Sequence, residues 1–230
     1  MSTRLIPGDN APGLRVGVYG GAFDPPHRDH LAMAQAFVAH LGLQRLVVVP
    51  TGQAWHKAAN LSPANHRLAM ARTAFAPNHF PPGCEVVVDD REIRQPGPSY
   101  THHTLGTLQA EAPSAHWALL MGQDQFDRFT TWHRWQHIAQ VATLVVAERA
   151  SQTSGGGTFD VESAILQWPS AAGGRPHTPA SVALPWQGLG LSSTHIRAHV
   201  ATHGTEGLQA MVLPAVARYI SDHQLYPLHT

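Results

Sequence analysis

Short, almost continuously apolar segments alternate with helical patterns along this chain, and that alternation restricts the fold more than any other feature. We predict strands at Arg15–Tyr19, Arg45–Val49, Glu85–Val88, His116–Met121, Thr143–Val146 and Ser181–Leu184. We predict helices at His30–Leu41, Pro63–Phe75, Tyr100–Ala110, Thr194–Thr202 and Pro214–His223. Strands without a polar face are typical of a parallel sheet that helices cover on both sides. The pattern therefore predicts an α/β fold with a doubly wound, mostly parallel, Rossmann-like sheet and C-terminal helices.

Local signals at the helix starts and the loops complete this outline. Ser62 and Ser99 are predicted to cap the second and third helices, with Pro63 at the first helical position. The length of 230 residues suits one domain over 1–230, with 1–13 as a flexible tail. Glycines and prolines in 151–180 predict a flexible connection that contains a short helical piece near Val161–Trp168.

Composition excludes several classes of partner. Acidic and basic residues balance at 15 each, without a basic stretch, so we expect no nucleic-acid partner. No uninterrupted apolar stretch could span a bilayer, and 1–13 lack the pattern of a secretory signal, so we expect no membrane partner. The single cysteine, Cys84, suits a reducing compartment. We therefore expect a cytoplasmic protein.

Two segments far apart in the chain are suited to binding one triphosphate. The segment Gly20–His30 follows the first predicted strand, and Ser192–Arg197 opens a predicted C-terminal helix. Each reads as a tight turn of small residues before a helix, and a helix N-terminus attracts anions through its unpaired N–H groups and its dipole. Neither the G-x-G-x-x-G nor the G-x-x-x-x-G-K-[ST] pattern occurs, which disfavours a dehydrogenase and a P-loop ATPase.

The first of these segments contains two histidines at helical spacing. His27 and His30 are three apart, so on a helix they share one face near its first turn, where cationic or neutral imidazoles can bind phosphoryl oxygens. The chain has 17 histidines, so the spacing by itself is weak support. The position after a strand, two glycines and Asp24-Pro25-Pro26 is what favours a functional role.

These segments resemble the motifs of the nucleotidyltransferase superfamily. Gly20–His30 is similar to its (T/H)-x-G-H motif, and Ser192–Arg197 is similar to its S-S-T-x-I-R motif. Further segments narrow the resemblance to the bacterial nicotinate-nucleotide adenylyltransferases. They are His56-Lys57, Asp90-Arg91-Glu92, Pro98-Ser99-Tyr100-Thr101, Met121-Gly122-Gln123-Asp124 and Thr131-Trp132.

The resemblance implies an activity and a set of site residues. A single nucleotidyltransferase domain would transfer AMP from ATP, with Mg²⁺, to nicotinate mononucleotide, giving nicotinate adenine dinucleotide and pyrophosphate for NAD biosynthesis. By similarity, the catalytic residues are His27, His30 and Arg197. Those expected to bind ATP are Gly20, Gly21, Phe23, Asp124, Ser193 and Thr194. Those expected to bind the nicotinate nucleotide are Lys57, Tyr100, Thr101 and Trp132. No metal-ligating residue is expected in the protein, and a homo-oligomer stays open.

Two features leave alternatives open. The family's glycine between the two histidines is Asp29 here, which puts a carboxylate beside a site for a polyanion. Asp29 could point outward, could organise Mg²⁺ or a histidine, or could mark a protein that binds nucleotides without turnover. The acceptor could also be nicotinamide mononucleotide, phosphopantetheine or a flavin. A stripe of His195, His199 and His203 is interpreted as adventitious in so histidine-rich a chain.

Overall fold

A computed structural model of the chain describes residues 13–53, 61–149, 181–186 and 188–227. The predictions for the tail before residue 13, for His56 and Lys57 and for the connection at 151–180 therefore lie outside the described residues.

The strands form one parallel sheet. They are β1 Arg15–Gly21, β2 Arg45–Pro50, β3 Glu85–Val88, β4 His116–Gly122, β5 Thr143–Arg149 and β6 Ser181–Trp186. Their order is β3-β2-β1-β4-β5-β6, and every neighbouring pair is parallel. This confirms the predicted doubly wound α/β fold. The strand order reverses between β1 and β4, which is where open sheets of this kind bind ligands.

Eight helices in the described part of the chain flank the sheet. In chain order they are α1 Arg28–Leu41, α2 Ala64–Ala74, α3 Arg91–Arg94, α4 Thr101–Glu111, α5 Gln123–Phe126, α6 Trp135–Val141, α7 Ser193–His203 and α8 Pro214–Asp222. All five predicted helices and all six predicted strands are present, with ends within three residues of those predicted. The helix α6 and the short helices α3 and α5 were not predicted.

Both faces of the sheet are apolar because successive side chains along each strand pack into two different buried clusters. Tyr19, Leu46 and Leu120 face α1, α2, α7 and α8 on one side. Val18 and Leu119 face α4 and α6 on the other. Side chains alternate across a strand, so a strand buried on both faces must be apolar throughout. This is why the strands were recognisable in the sequence.

The two predicted serine caps are wrong. The helix α2 has Pro63 at its N-cap and α4 has Tyr100, and neither N-cap side chain makes a capping hydrogen bond. The backbone of Ser62 is used elsewhere, since its N–H donates to Asp24 and its carbonyl accepts from Arg67. Ser62 is thus engaged in bracing the turn that follows β1.

Candidate active site

The turn after β1 is ordered by its own two histidines. His27 is the N-cap of α1, and its Nδ1 accepts from the N–H of His30 at 3.4 Å. His30 is at the third helical position, and its Nδ1 accepts from the N–H of His27 at 3.2 Å. The rings stack with centroids 3.6 Å apart. This reciprocal arrangement has the geometry of a capping box, with imidazoles in place of the usual hydroxyl and carboxylate.

These hydrogen bonds define the protonation of both rings. An Nδ1 that accepts from a backbone N–H carries no proton, so each neutral ring keeps its proton on Nε2. Burial lowers the pKa of His27 to about 4, against an opposing effect of the Asp29 carboxylate. Burial, followed by the neighbouring His27, lowers the pKa of His30 well below its usual range. Each neutral ring therefore carries its N–H on Nε2.

The N-terminus of α7 lies against this turn. The hydroxyl of Ser193 donates to the carbonyl of Pro25 at 2.9 Å, and the Arg197 guanidinium donates to the carbonyl of Asp24 at 2.7 Å. The same guanidinium also lies 3.4 Å from the hydroxyl of Thr194. Ser192 caps α7 by accepting from the N–H of His195 at 3.2 Å. The two predicted phosphate-binding segments, about 170 residues apart in the chain, thus meet in space.

Asp29 does not point outward, as one of the alternatives required. Its side chain is buried, and its two carboxylate oxygens accept from the N–H groups of Leu189 and Leu191 at 2.8 and 2.9 Å. Those amides belong to the segment that leads into α7. The charge is therefore directed at backbone donors that directly precede the second motif.

Two buried polar residues that brace this turn were missed in the sequence. Arg67 on α2 is 2% exposed, and its guanidinium donates to four backbone carbonyls. These carbonyls belong to Ala22, Thr51, Gly52 and Ser62. Arg67 falls on the core face of α2 with Met70, Ala71 and Ala74, and an arginine on an apolar face was the available signal.

Asp24 is the second of these braces. It is fully buried and accepts from the N–H of Ser62 at 2.9 Å and from the hydroxyl of Tyr226 at 2.6 Å. The loop before α2 and the segment after α8 are both joined to the turn in this way.

A cavity of about 250 Å³ opens beside the turn, over the carboxyl ends of β1 and β2. Gly20 and Gly21 form part of its wall, as do three residues predicted to bind the nicotinate nucleotide, Tyr100, Thr101 and Trp132. Trp132 packs on the buried Phe129, with ring centroids 5.6 Å apart, and leaves part of its own ring in the cavity. Tyr100 and Thr101 stand at the N-terminus of α4, whose helical N–H groups begin there.

The cavity is also lined by residues that were not predicted to bind a substrate, although Glu92 belongs to one of the segments that carry the resemblance. Gln125 and His133 line it, and the His133 ring lies 4.9 Å from the ring of Tyr100. Glu92 lies in its wall, where it accepts from the hydroxyl of Thr104 at 2.6 Å. Burial raises the pKa of Glu92 above its usual range.

The remaining residues predicted to bind ATP lie in different surroundings. They are Gly20, Gly21, Phe23 and Asp124. A side chain at Gly20 would extend into open space, whereas one at Gly21 would meet the Phe23 ring at 2.9 Å. The Phe23 ring is itself buried, 5.3 Å from those of Tyr19 and His30, so only its backbone can contact a ligand. Asp124 is exposed on α5, and its neighbour Gln125 is the one that lines the cavity. A direct role for Asp124 stays a prediction.

The histidine stripe on α7 makes local contacts. The Nε2 of His199 lies 2.7 Å from the carbonyl of Glu206, and its ring stacks on that of His203 at 4.9 Å. Within the described ranges, no three His, Cys, Asp or Glu side chains are grouped so as to hold a metal ion. No helix in the described part of the chain has the length and apolar character to cross a membrane.

The turn after β1, the start of α7 and the cavity together form one crevice, and comparison with known proteins relates the chain that forms it to a family. The cytidylyltransferase-like family model matches residues 18–199. A relative from Albidiferax ferrireducens, named "Probable nicotinate-nucleotide adenylyltransferase", is 46% identical over 212 residues, covering 92% of this chain and 98% of that protein. A relative of the same name from Methylibium petroleiphilum is 38% identical over 94% of each chain.

Solved structures have the same fold at much lower identity. Plasmodium falciparum nicotinic acid mononucleotide adenylyltransferase complexed with NaAD superposes with a TM-score of 0.68 at 16% identity. The same enzyme complexed with APC superposes with a TM-score of 0.68 at 17% identity. Each comparison covers 94% of this chain and 98% of the other. The chain therefore belongs to the cytidylyltransferase-like family and, within it, groups with the nicotinate-nucleotide adenylyltransferases.

Proposed function

We propose that this protein transfers the adenylyl group of ATP to nicotinate mononucleotide, giving nicotinate adenine dinucleotide and pyrophosphate. The observation that carries the proposal is the junction of two anion-attracting helix N-termini beside a cavity lined by Tyr100, Thr101 and Trp132. The names of the 46% and 38% identical relatives support the same reaction. Because ATP is the donor, we place the reaction in the cytoplasm.

The reaction needs positioning more than acid–base chemistry. A phosphate oxygen of the mononucleotide forms a bond to the α-phosphorus of ATP, and the bond from that phosphorus to the oxygen bridging to the β-phosphorus breaks. The electron pair leaves with pyrophosphate. The attacking oxygen is already anionic, so no general base is required, and catalysis comes from alignment and charge stabilisation.

The chain provides donors for that charge at the turn after β1. The Nε2–H groups of His27 and His30 are set side by side by the capping box, so they are oriented before the substrate arrives. Ser193 and Arg197 donate to the carbonyls of Pro25 and Asp24, and we infer that phosphate oxygens replace those carbonyls when ATP binds. The planar guanidinium of Arg197 can bind two such oxygens at once.

Mg²⁺ fits this crevice as a partner of the nucleotide. The two carboxylates of the turn, Asp24 and Asp29, already accept hydrogen bonds from N–H and O–H groups of the protein. The other described side chains there are imidazole, hydroxyl and guanidinium groups, which complement phosphate oxygens and not a bare hard cation. Phosphate oxygens and water would therefore hold Mg²⁺, which supplies charge neutralisation to the triphosphate. The orientation of that triphosphate is the task of His27, His30 and Arg197.

The acceptor would lie in the cavity. Trp132 offers an aromatic face on which the pyridine ring can stack, and the N-terminus of α4 offers backbone N–H groups to a carboxylate. These features favour the acid over the amide. A role for Lys57 is part of the proposal on the basis of sequence alone, because it lies outside the described residues.

The test follows pyrophosphate release from Mg-ATP with nicotinate mononucleotide, nicotinamide mononucleotide, phosphopantetheine or a flavin mononucleotide as acceptor at fixed ATP. We expect turnover, and a higher kcat/KM for the nicotinate nucleotide than for the others. Absence of turnover with all four acceptors, in a protein that binds ATP by calorimetry, would support the silent alternative. A higher kcat/KM for another acceptor would replace the proposed substrate.

A further inference from the structure

Asp29 stands where the resemblance predicts glycine. In the structure its side chain lies in the crevice and has defined hydrogen-bond partners. It lies in the first turn of α1, between His27 and His30, and is 2% exposed. Its Oδ1 accepts from the N–H of Leu189 at 2.8 Å, and its Oδ2 accepts from the N–H of Leu191 at 2.9 Å. One carboxylate thus receives two N–H groups from a segment 160 residues away, and hydrogen bonds to a charged acceptor are the strong ones.

Within the described residues, the segment that donates to this carboxylate is largely exposed. The side chain of Leu189 is 69% exposed, so apolar packing does not secure the residue. Gly190, at φ +77°, is also exposed. Gly188 allows the close approach, because a Cβ there would lie 2.8 Å from Oδ2 of Asp29 and would collide with the Trp186 ring. Ser192, the N-cap of α7, follows Leu191 directly.

Among the described residues, three polar contacts join the first motif to the second motif and the segment before it, and they differ in what substrate binding does to them. The contacts of Ser193 with Pro25 and of Arg197 with Asp24 use groups that the proposed reaction needs for phosphate. Both contacts are weakened or lost once those groups turn to ATP. The contact of Asp29 with Leu189 and Leu191 uses none of these groups, so it can persist while ATP is bound.

We propose that Asp29 is a positioning residue, resting on the proposed function, that holds the start of α7 against the start of α1 while Ser193 and Arg197 bind the ATP phosphates. Its charge suits this position for two reasons. Both oxygens face backbone donors, and the first turn of α1 stabilises an anion. The negative charge also opposes the effect of burial on the pKa of His27. Asp29 therefore affects the binding of ATP and not the binding of the acceptor in the cavity.

The test compares Asp29→Asn with a control, Asp222→Asn, an exposed carboxylate at the end of α8. Asparagine keeps one acceptor and places an NH₂ group against a backbone N–H. We expect the Kd for Mg-ATP, measured by calorimetry without acceptor, to rise about tenfold or more, as the loss of one hydrogen bond to a charged group predicts. The KM for the acceptor should stay within about twofold, since the other half of the crevice is untouched. Asp222→Asn should bind ATP like the unmodified protein.

Two outcomes would overturn this role. One is unchanged or tighter ATP binding by a folded Asp29→Asn protein. Tighter binding would mean that the Asp29 carboxylate repels the ATP phosphates and that the substitution relieves this repulsion. The other is an equal rise in the Kd for ATP and the KM for the acceptor, which indicates general damage to the fold. Because calorimetry needs no turnover, failure of the proposed reaction would be seen separately, as ATP binding without product.

Amide hydrogen exchange in the unmodified protein gives a measurement that does not depend on any variant folding. We expect the N–H groups of Leu189 and Leu191 to be protected, and to stay protected when a non-hydrolysable ATP analogue is added. Exchange at the rate of free amides, with or without the analogue, would overturn the proposal.

Discussion

The two halves of the crevice are held by different forces. On the phosphate side, His27, Asp29 and Arg67 are buried, and each is oriented by hydrogen bonds to the backbone. On the acceptor side, Trp132 is half-buried and His133 is exposed, and both are placed mainly by contacts between rings. Removing a polar group so that its buried partner is left unsatisfied costs more free energy of unfolding than removing one contact between rings. Substitutions on the phosphate side that leave a buried partner unsatisfied should therefore lower stability, whereas those on the acceptor side should change affinity alone.

The largest effect is expected at Arg67. Replacing it with methionine keeps the length of the side chain but leaves four partly buried carbonyls without their donor. At about 1–3 kcal/mol for each unsatisfied group, we expect a loss of about 4 kcal/mol or more in the free energy of unfolding. Urea unfolding measures it.

Arg72→Met is the matched control for Arg67. Arg72 is on the same helix, its side chain is 56% exposed, and its ion pair with Asp90 spans 3.6 Å. Exposed pairs of this kind contribute about 0–1 kcal/mol. A similar loss of stability in both variants would contradict the assignment of Arg67 as a brace of the turn.

The next largest effect is expected at His27. Asparagine is a good N-cap, so His27→Asn should keep α1 in place while removing the Nε2–H donor. We expect kcat to fall about 100-fold or more, as for loss of one donor to transition-state charge, with a change in stability under about 1 kcal/mol. His27→Ala should lose about 1 kcal/mol more stability than His27→Asn, because it also removes the cap. Activity near that of the unmodified protein in His27→Asn would remove this histidine from the mechanism.

The buried imidazoles should also make the protein sensitive to acid. The pKa of His27 is about 4 in the folded protein, below its usual 6.5, so the unfolded chain binds a proton first as the pH falls. Stability is then fully present above about pH 6.5 and is lost as the pH drops towards 4, by at most about 1.4 kcal/mol per pH unit from this residue. Urea unfolding between pH 7.5 and pH 5 measures the slope. His27→Asn should flatten it, and an unchanged slope would show that other groups cause the acid sensitivity.

This contrast also explains how much the sequence could predict. Apolar strands such as β2 were predictable because burial on both faces leaves a continuous apolar run. The turn after β1 and the start of α7 were predictable because small residues, histidines and an arginine at helix starts have few structural reasons to occur together. The partners of Arg67 and Asp29 could not be assigned, because they are backbone groups, which carry no signal in the sequence. The predicted caps at Ser62 and Ser99 were wrong for a related reason. The preference of serine for N-caps does not show which other backbone or side-chain groups it contacts in the fold.

The smallest effect is expected at Trp132, and it distinguishes the two halves most directly. Trp132→Leu removes the aromatic face in the cavity while keeping an apolar contact with Phe129. We expect the KM for nicotinate mononucleotide to rise about 5- to 10-fold, which corresponds to about 1 kcal/mol of lost stacking, while the Kd for Mg-ATP stays unchanged. Trp135→Leu is the matched control, because its ring also packs on Phe129, at 6.0 Å, but does not line the cavity. If both variants raise the KM equally, Trp132 acts only as part of the packing around Phe129. If Trp132→Leu also weakens ATP binding, the two halves of the crevice are not separable in the way their construction indicates.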